Sequence, residues 1–302
     1  MGIGMGLAPD RGSDRFTRFV AIDWSGAVGE RQRGIAVASC TLGRAAPRLE
    51  RPDRRWSRAD VLGFLHALAG SDTLVGVDLG LSLPFADRGA FFPGWDQSPA
   101  DARGLWALVD ALCAADPHLA ATSFVDHPEA ARHFRRHGGR TGDLFEPGRG
   151  RLRLTERAQL AAGASPVSNL NLVGAAQVGK SSLTGMRVAH RLGGAMPVWP
   201  FDPLPDQGPL LVEIYTAIAA IAAGRPRGRT KMTDVAALNR ALAHPAIASD
   251  AFAGSGPVDD HRSDALLTAA WLRTHAARPE LWAPPALTAA VARTEGWTFG
   301  VA

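Results

Sequence analysis

The chain has 302 residues, 46% hydrophobic and 21% charged, with a formal net charge of +4. That is enough sequence for one domain with an insertion or for two smaller ones, and the balance excludes wholesale disorder, a coiled coil and a membrane bundle. No apolar run reaches the roughly 18 to 20 residues of a spanning helix, and the first residues lack a signal-length apolar stretch, so a cytoplasmic protein with no membrane partner is expected. Positive charge is almost all arginine, Lys180 and Lys231 being the only lysines, and Cys40 and Cys113 lie outside any Cys-x-x-Cys spacing and read as ordinary buried thiols.

Residues 1–15, rich in Gly, Asp and Arg without a period, predict a disordered tail. From Arg18 onward FVAIDWSGA, the polar turn AVGERQRG and GIAVASCTL predict two strands joined as a hairpin. A short third strand near 48–54 precedes a helix that opens at Ser57, where Val61, Leu62, Leu65 and Leu68 recur at helical spacing. TLVGVDL (73–79) is a nearly unbroken apolar run, as expected for a fourth strand buried on both faces. Over 85–208 Gly, Pro, Arg and Trp accumulate around one helical segment at 99–115, and the stretch reads as an insertion. LLVEIY (210–215) resumes as a fifth strand, helices are expected over 233–243 and 259–277, and EGWTFGV (295–301) is expected to add an edge strand.

Three acids stand where acids are costly: Asp23, Asp78 and Glu213 each lie in or at the end of an apolar strand. A lone buried carboxylate costs several kcal/mol unless it is paired or bound to a cation. In open α/β sheets the functional crevice lies at the carboxyl ends of the parallel strands, where such acids would converge. An acidic, oxygen-only ligand set suits Mg²⁺ or Mn²⁺ rather than zinc. VDDHRSDA supplies further acids, Asp260 and Asp264, four apart on one helix face.

The order VAIDWSGA, hairpin, LVGVDLGLSLP, LLVEIY, a later segment with Lys231, and HRSDALLTAAW resembles the ribonuclease-H-like superfamily of predicted nucleases, and within it the domain of unknown function 429 family. The resemblance covers 16–84 and 209–302 and implies a mixed five-stranded sheet flanked by helices, with 85–208 inserted between strands four and five. It implies that Asp23, Asp78 and Asp264 bind two divalent ions and hydrolyse phosphodiesters, with nucleic acid as partner. Glu213 matches the acid of the family's Glu-hydrophobic-Tyr strand, although Thr216 stands where proline is usual. Asp260 is a further candidate ligand, and His261 or Lys231 would move a proton or neutralise charge.

Other signals compete. Gly174, Gly179, Lys180 and Ser181 in GAAQVGKS satisfy the phosphate-loop pattern, with 170–173 as the strand such a loop requires, which would make the chain a nucleotide-binding protein. Asp23-x-Ser25-Gly26 and Asp78-x-Gly80-x-Ser82 resemble the two phosphate loops of the actin-like ATPases, which need a second hairpin after Asp78. His133 and His137, with His127, Asp143 and Glu146, make a conceivable metal face, against which the surrounding arginines count. Those arginines, with Trp95, Trp106 and Trp199, would suit a nucleic-acid-binding module without catalysis.

Overall fold

The computed structural model describes residues 15–174 and 178–302, so the expected tail, apart from Arg15, and the middle of the GAAQVGKS string lie outside the described residues. The strands are β1 (Arg18–Asp23), β2 (Arg31–Gln32), β3 (Ala36–Thr41), β4 (Arg48–Leu49), β5 (Trp56–Ser57), β6 (Thr73–Asp78), β7 (Val198–Trp199) and β8 (Leu210–Ile214). Six of them form one mixed sheet in the order β4-β3-β1-β6-β8-β7, and β2 pairs with β5 in a small ribbon. β3 runs antiparallel to β1 and β4, whereas β1, β6, β8 and β7 run parallel.

The class is α/β, and the sheet has six strands where sequence predicts five. The sixth, β7, comes from the stretch read as an insertion; two residues before Pro200 carry no periodicity to recognise. The expected edge strand at 295–301 is reduced to one bridge, Thr298 against Glu213. There the chain curls so that the Trp297 indole donates to the Val301 carbonyl at 2.8 Å, a turn that a straight strand cannot make. The polar hairpin turn is itself structured, since it contains β2.

Alternation along the strands divides the core between two faces. Phe19, Ala21, Ala38, Leu74 and Val212 pack with Ala265, Leu266, Ala269 and Leu272 of the helix Asp260–His275. Val20, Ile22, Val75 and Val77 pack on the other face with Val61, Trp106 and Leu183, from the helices Arg58–Ala67, Ala102–Leu112 and Val178–Arg191. The 85–208 stretch is therefore an insertion along the chain and a full layer in space. Trp95 and Trp106 are buried in it and Trp199 in the core of the opposite face, and none offers a face to a nucleic acid.

Local signals start the helices where expected. The Ser57 hydroxyl accepts from Asp60 N at 2.9 Å while the Asp60 carboxylate accepts from Ser57 N at 3.0 Å, a reciprocal cap on two otherwise unpaired donors. Asp234 and Asp259 cap the helices Val235–Leu242 and Asp260–His275 in the same manner, with one accepted bond each.

The long helix can lie close to the sheet because Gly76 is bare: a Cβ there would sit 2.7 Å from Ile214 Cγ2 and 3.0 Å from Leu272 Cδ1. Gly76→Val should therefore destabilise the fold by about 1–3 kcal/mol, read as a lower urea midpoint at unchanged slope, with Gly76→Ala losing less.

Candidate active site

The carboxyl ends of β1 and β6 bring two acids side by side. Asp23 and Asp78 are the last residues of their strands and register partners, on parallel strands about 4.8 Å apart. Asp264 comes from the second turn of the helix Asp260–His275, which lies across β1 and β3. Asp23 and Asp264 are only 5% and 6% exposed. Asp78 and Asp264 line a cleft of about 640 Å³ together with His261, Lys231, Tyr215 and Ser181.

Each acid has a different partner. The His261 ring holds Asp23, Nδ1 to Oδ2 at 3.2 Å. Lys231 Nζ lies 3.0 Å from Asp264 Oδ2 and 3.0 Å from Asp260 Oδ2, so the shared helix face of Asp260 and Asp264 is closed by one ammonium. Among the described residues no cation pairs with Asp78: Thr216 donates to it from Oγ1 at 2.9 Å and from N at 3.4 Å. Thr216, directly after β8 and Tyr215, is thus the residue that binds this acid.

These surroundings shift the protons in predictable directions. Burial, then repulsion from Asp23, pushes Asp78 up to about 8, with Asp264 adding to the repulsion. Burial raises Asp264 to about 6 against the pull of Lys231. Burial raises Asp23 as well, opposed by its bond to His261. That same bond holds the imidazole above its ordinary value, against its partial burial.

Glu213, the further catalytic and metal-ligand candidate, lines the same cleft. It sits on β8 next to Asp78, but its Oε1 accepts from Arg153 Nη2 and Thr298 Oγ1, both at 2.6 Å, and its Oε2 from Leu81 N at 2.7 Å and Arg153 Nη1 at 2.8 Å. Both oxygens are taken, and a guanidinium cancels the charge. Arg153, 60 residues away in sequence, gives no signal that would pair it with β8.

The competing motifs fare differently from one another. Residues 170–173 form no strand, only a bridge from Asn171 to Arg135, so Gly174 is not carried on the strand that a phosphate loop needs. Gly179, Lys180 and Ser181 lie in the first turn of the helix Val178–Arg191, as in a phosphate loop, and the backbone of that helix abuts Gly26: a Cβ on Gly26 would lie 2.5 Å from Ser181 N. No hairpin follows Asp78, and the Ser82 hydroxyl is buried on the Thr294 carbonyl, which removes the paired-loop reading. His133 is in the core against Phe92, with its pKa lowered to about 4 by burial and by Arg151 and Arg132, while His137 is exposed beyond the end of the short helix Pro128–Ala131, so the two form no helix face.

The donor chemistry of Asp23, Asp78 and Asp264 suits a hard divalent cation: three oxygen ligands, two of them facing the cleft and held above their ordinary pKa by burial and mutual repulsion. Their oxygens are turned to Thr216, His261 and Lys231, and among the described residues no group of three His, Cys, Asp or Glu side chains is disposed as a ready cage. Among them, too, no helix is long and apolar enough to cross a membrane. Compared with protein-family models, curated proteins and solved structures, the chain matches none.

Two stability experiments follow. Because the Asp78 pKa is raised on folding, the folded state keeps a proton that the unfolded chain releases, and stability falls as pH rises from about 4 to about 8. Asp78→Asn should raise the melting temperature relative to wild type at pH 8 by the equivalent of a few kcal/mol, with the gain vanishing near pH 4. Arg153→Met should cost about 3–5 kcal/mol in urea unfolding, since it leaves Glu213 and Glu156 buried without their guanidinium.

Proposed function

We propose that the chain is a divalent-metal-dependent phosphodiester hydrolase with a ribonuclease-H-like core, using Asp23, Asp78 and Asp264. The observation that carries this reading is the register: Asp23, buried, and Asp78, half-buried at the cleft, end neighbouring parallel strands at paired positions, with Asp264 near enough to repel both. The topology supports it too. An antiparallel hairpin followed by parallel strands, with acids on the first strand, on the strand beside it and on the last long helix, is the order in which the resemblance places them.

Asp23, Asp78 and Asp264 would hold one or two Mg²⁺ or Mn²⁺ ions, which supply charge neutralisation at a phosphoryl group and a more acidic attacking water. The chain's own groups do the rest. Lys231 holds Asp264 and Asp260 in place and keeps the cleft from becoming too negative for a phosphate to enter. His261, partly exposed at the cleft and bonded to Asp23, holds a proton within reach of a leaving oxygen. Thr216 fixes the orientation of the Asp78 carboxylate. Arg153 and Glu213 keep the end of β8 rigid beneath it.

The test is hydrolysis of bis(p-nitrophenyl) phosphate and of labelled oligonucleotides with Mg²⁺ or Mn²⁺, alongside Mn²⁺ titration by calorimetry. Asp23→Asn and Asp78→Asn should each lower turnover by more than about 100-fold and weaken Mn²⁺ binding while remaining folded. A wild-type chain that binds no Mn²⁺ and cleaves none of these substrates would overturn the reading.

A further inference from the structure

A second groove of about 490 Å³ opens beside the carboxylate cleft, and His261 lines both. Its walls carry Arg33, Arg51, Arg54, Arg55 and Arg262. Arg33, Arg51, Arg54 and Arg55 come from the segments flanking β2 and β5, and Arg262 from the first turn of the helix Asp260–His275. The ribbon's antiparallel register pairs Gln32 with Trp56, and Arg33 and Arg55 flank that last pair, Arg33 where the chain turns away. Like charges crowded along one groove repel one another, and Arg33, Arg54 and Arg55 are all exposed there.

The groove's own acids do not relieve that repulsion. Glu50 accepts from Arg18 at 2.7 Å and from Ser39 at 2.6 Å, and Asp259 caps its helix and pairs with Arg262 at 3.0 Å. Arg51 stacks on Trp56 with its guanidinium carbon 4.5 Å from the ring centroid. Among the described residues the guanidiniums of Arg33, Arg54 and Arg55 make no hydrogen bond and no ion pair, and all three residues are exposed. In the stretch that looks most basic in sequence, Arg132, Arg136, Arg140, Arg151 and Arg153 are each paired with a carboxylate of the chain, and the exposed Arg135 and Arg149 lie outside the groove.

We propose that this groove binds the phosphodiester backbone of a nucleic-acid strand and leads it past His261 to the carboxylates, so that the substrate is a polymer and not a small phosphoester. The substrate assignment rests on the hydrolase reading above. Several exposed, unpaired guanidiniums along one open groove match a chain of phosphates repeating along a strand. A lone small phosphoester would engage the cleft and leave the ribbon's arginines unmatched.

The experiment is fluorescence anisotropy of a labelled oligonucleotide, single-stranded and duplex, titrated in EDTA over a series of salt concentrations. The triple variant Arg33→Ala, Arg54→Ala, Arg55→Ala should bind at least about tenfold more weakly than wild type, with the salt slope reduced by about 0.7 per lost phosphate contact for a single strand and about 0.9 for a duplex. A control triple of equal charge, Arg149→Ala, Arg240→Ala, Arg293→Ala, removes exposed arginines outside the groove and should bind as wild type does. Removing these exposed, mutually repelling arginines should leave the melting temperature equal or higher, which separates lost binding from lost folding. Equal binding by both triples, or no salt-dependent binding by wild type, overturns the groove. Bis(p-nitrophenyl) phosphate hydrolysis reports on the carboxylates alone: binding lost in the groove triple, with no hydrolysis by wild type, supports the groove and sinks the hydrolase.

Discussion

Two carboxylates that end adjacent parallel strands in register cannot both ionise cheaply in a buried site. That repulsion organises the top of this sheet. It explains why Asp78 retains its proton up to about 8 and why a lysine and a histidine from the far end of the chain are drawn to Asp264 and Asp23. Asp78 itself is bound by the neutral Thr216, whose hydroxyl and amide both donate and so favour the ionised form without adding a charge.

A second buried ion cluster supports the first without taking part in it. Arg153 joins Glu213 of β8 to Glu156 and to the Glu295 carbonyl. The Glu295 carboxylate in turn accepts from Phe85 N, Ala86 N and Leu154 N. The start of the inserted layer, its middle and the C-terminal segment are thereby fastened to the strand beside Asp78. A cluster that draws together parts of the chain so far apart restricts how the cleft can deform, because each member left alone would be an uncompensated buried charge.

The apolar strands, the capped helices and the mixed α/β class were legible because each depends on spacing within a dozen or so residues. Val20 and Ile22 alternate with Phe19 and Ala21, and Ser57 meets Asp60 three positions on. β7 and the curl at Trp297 were not, since a two-residue strand has no period and the curl depends on an indole meeting a carbonyl. Among the acids, position in an apolar run correctly marked Asp23, Asp78 and Glu213 as unusual, and it could not separate them. Their difference lies in their partners: Thr216, His261 and Arg153 stand 138, 238 and 60 residues from the acids they bind.

Local sequence alone determined which segments become strands and helices and which acids would have to be buried, because side-chain period and burial cost act over short stretches of chain. Tertiary structure decided which of those acids face the cleft, which is neutralised by an arginine, and which arginines are left unpaired at the surface. Pairing between charges depends on distance in space, and that distance is set only once the sheet order brings remote segments together.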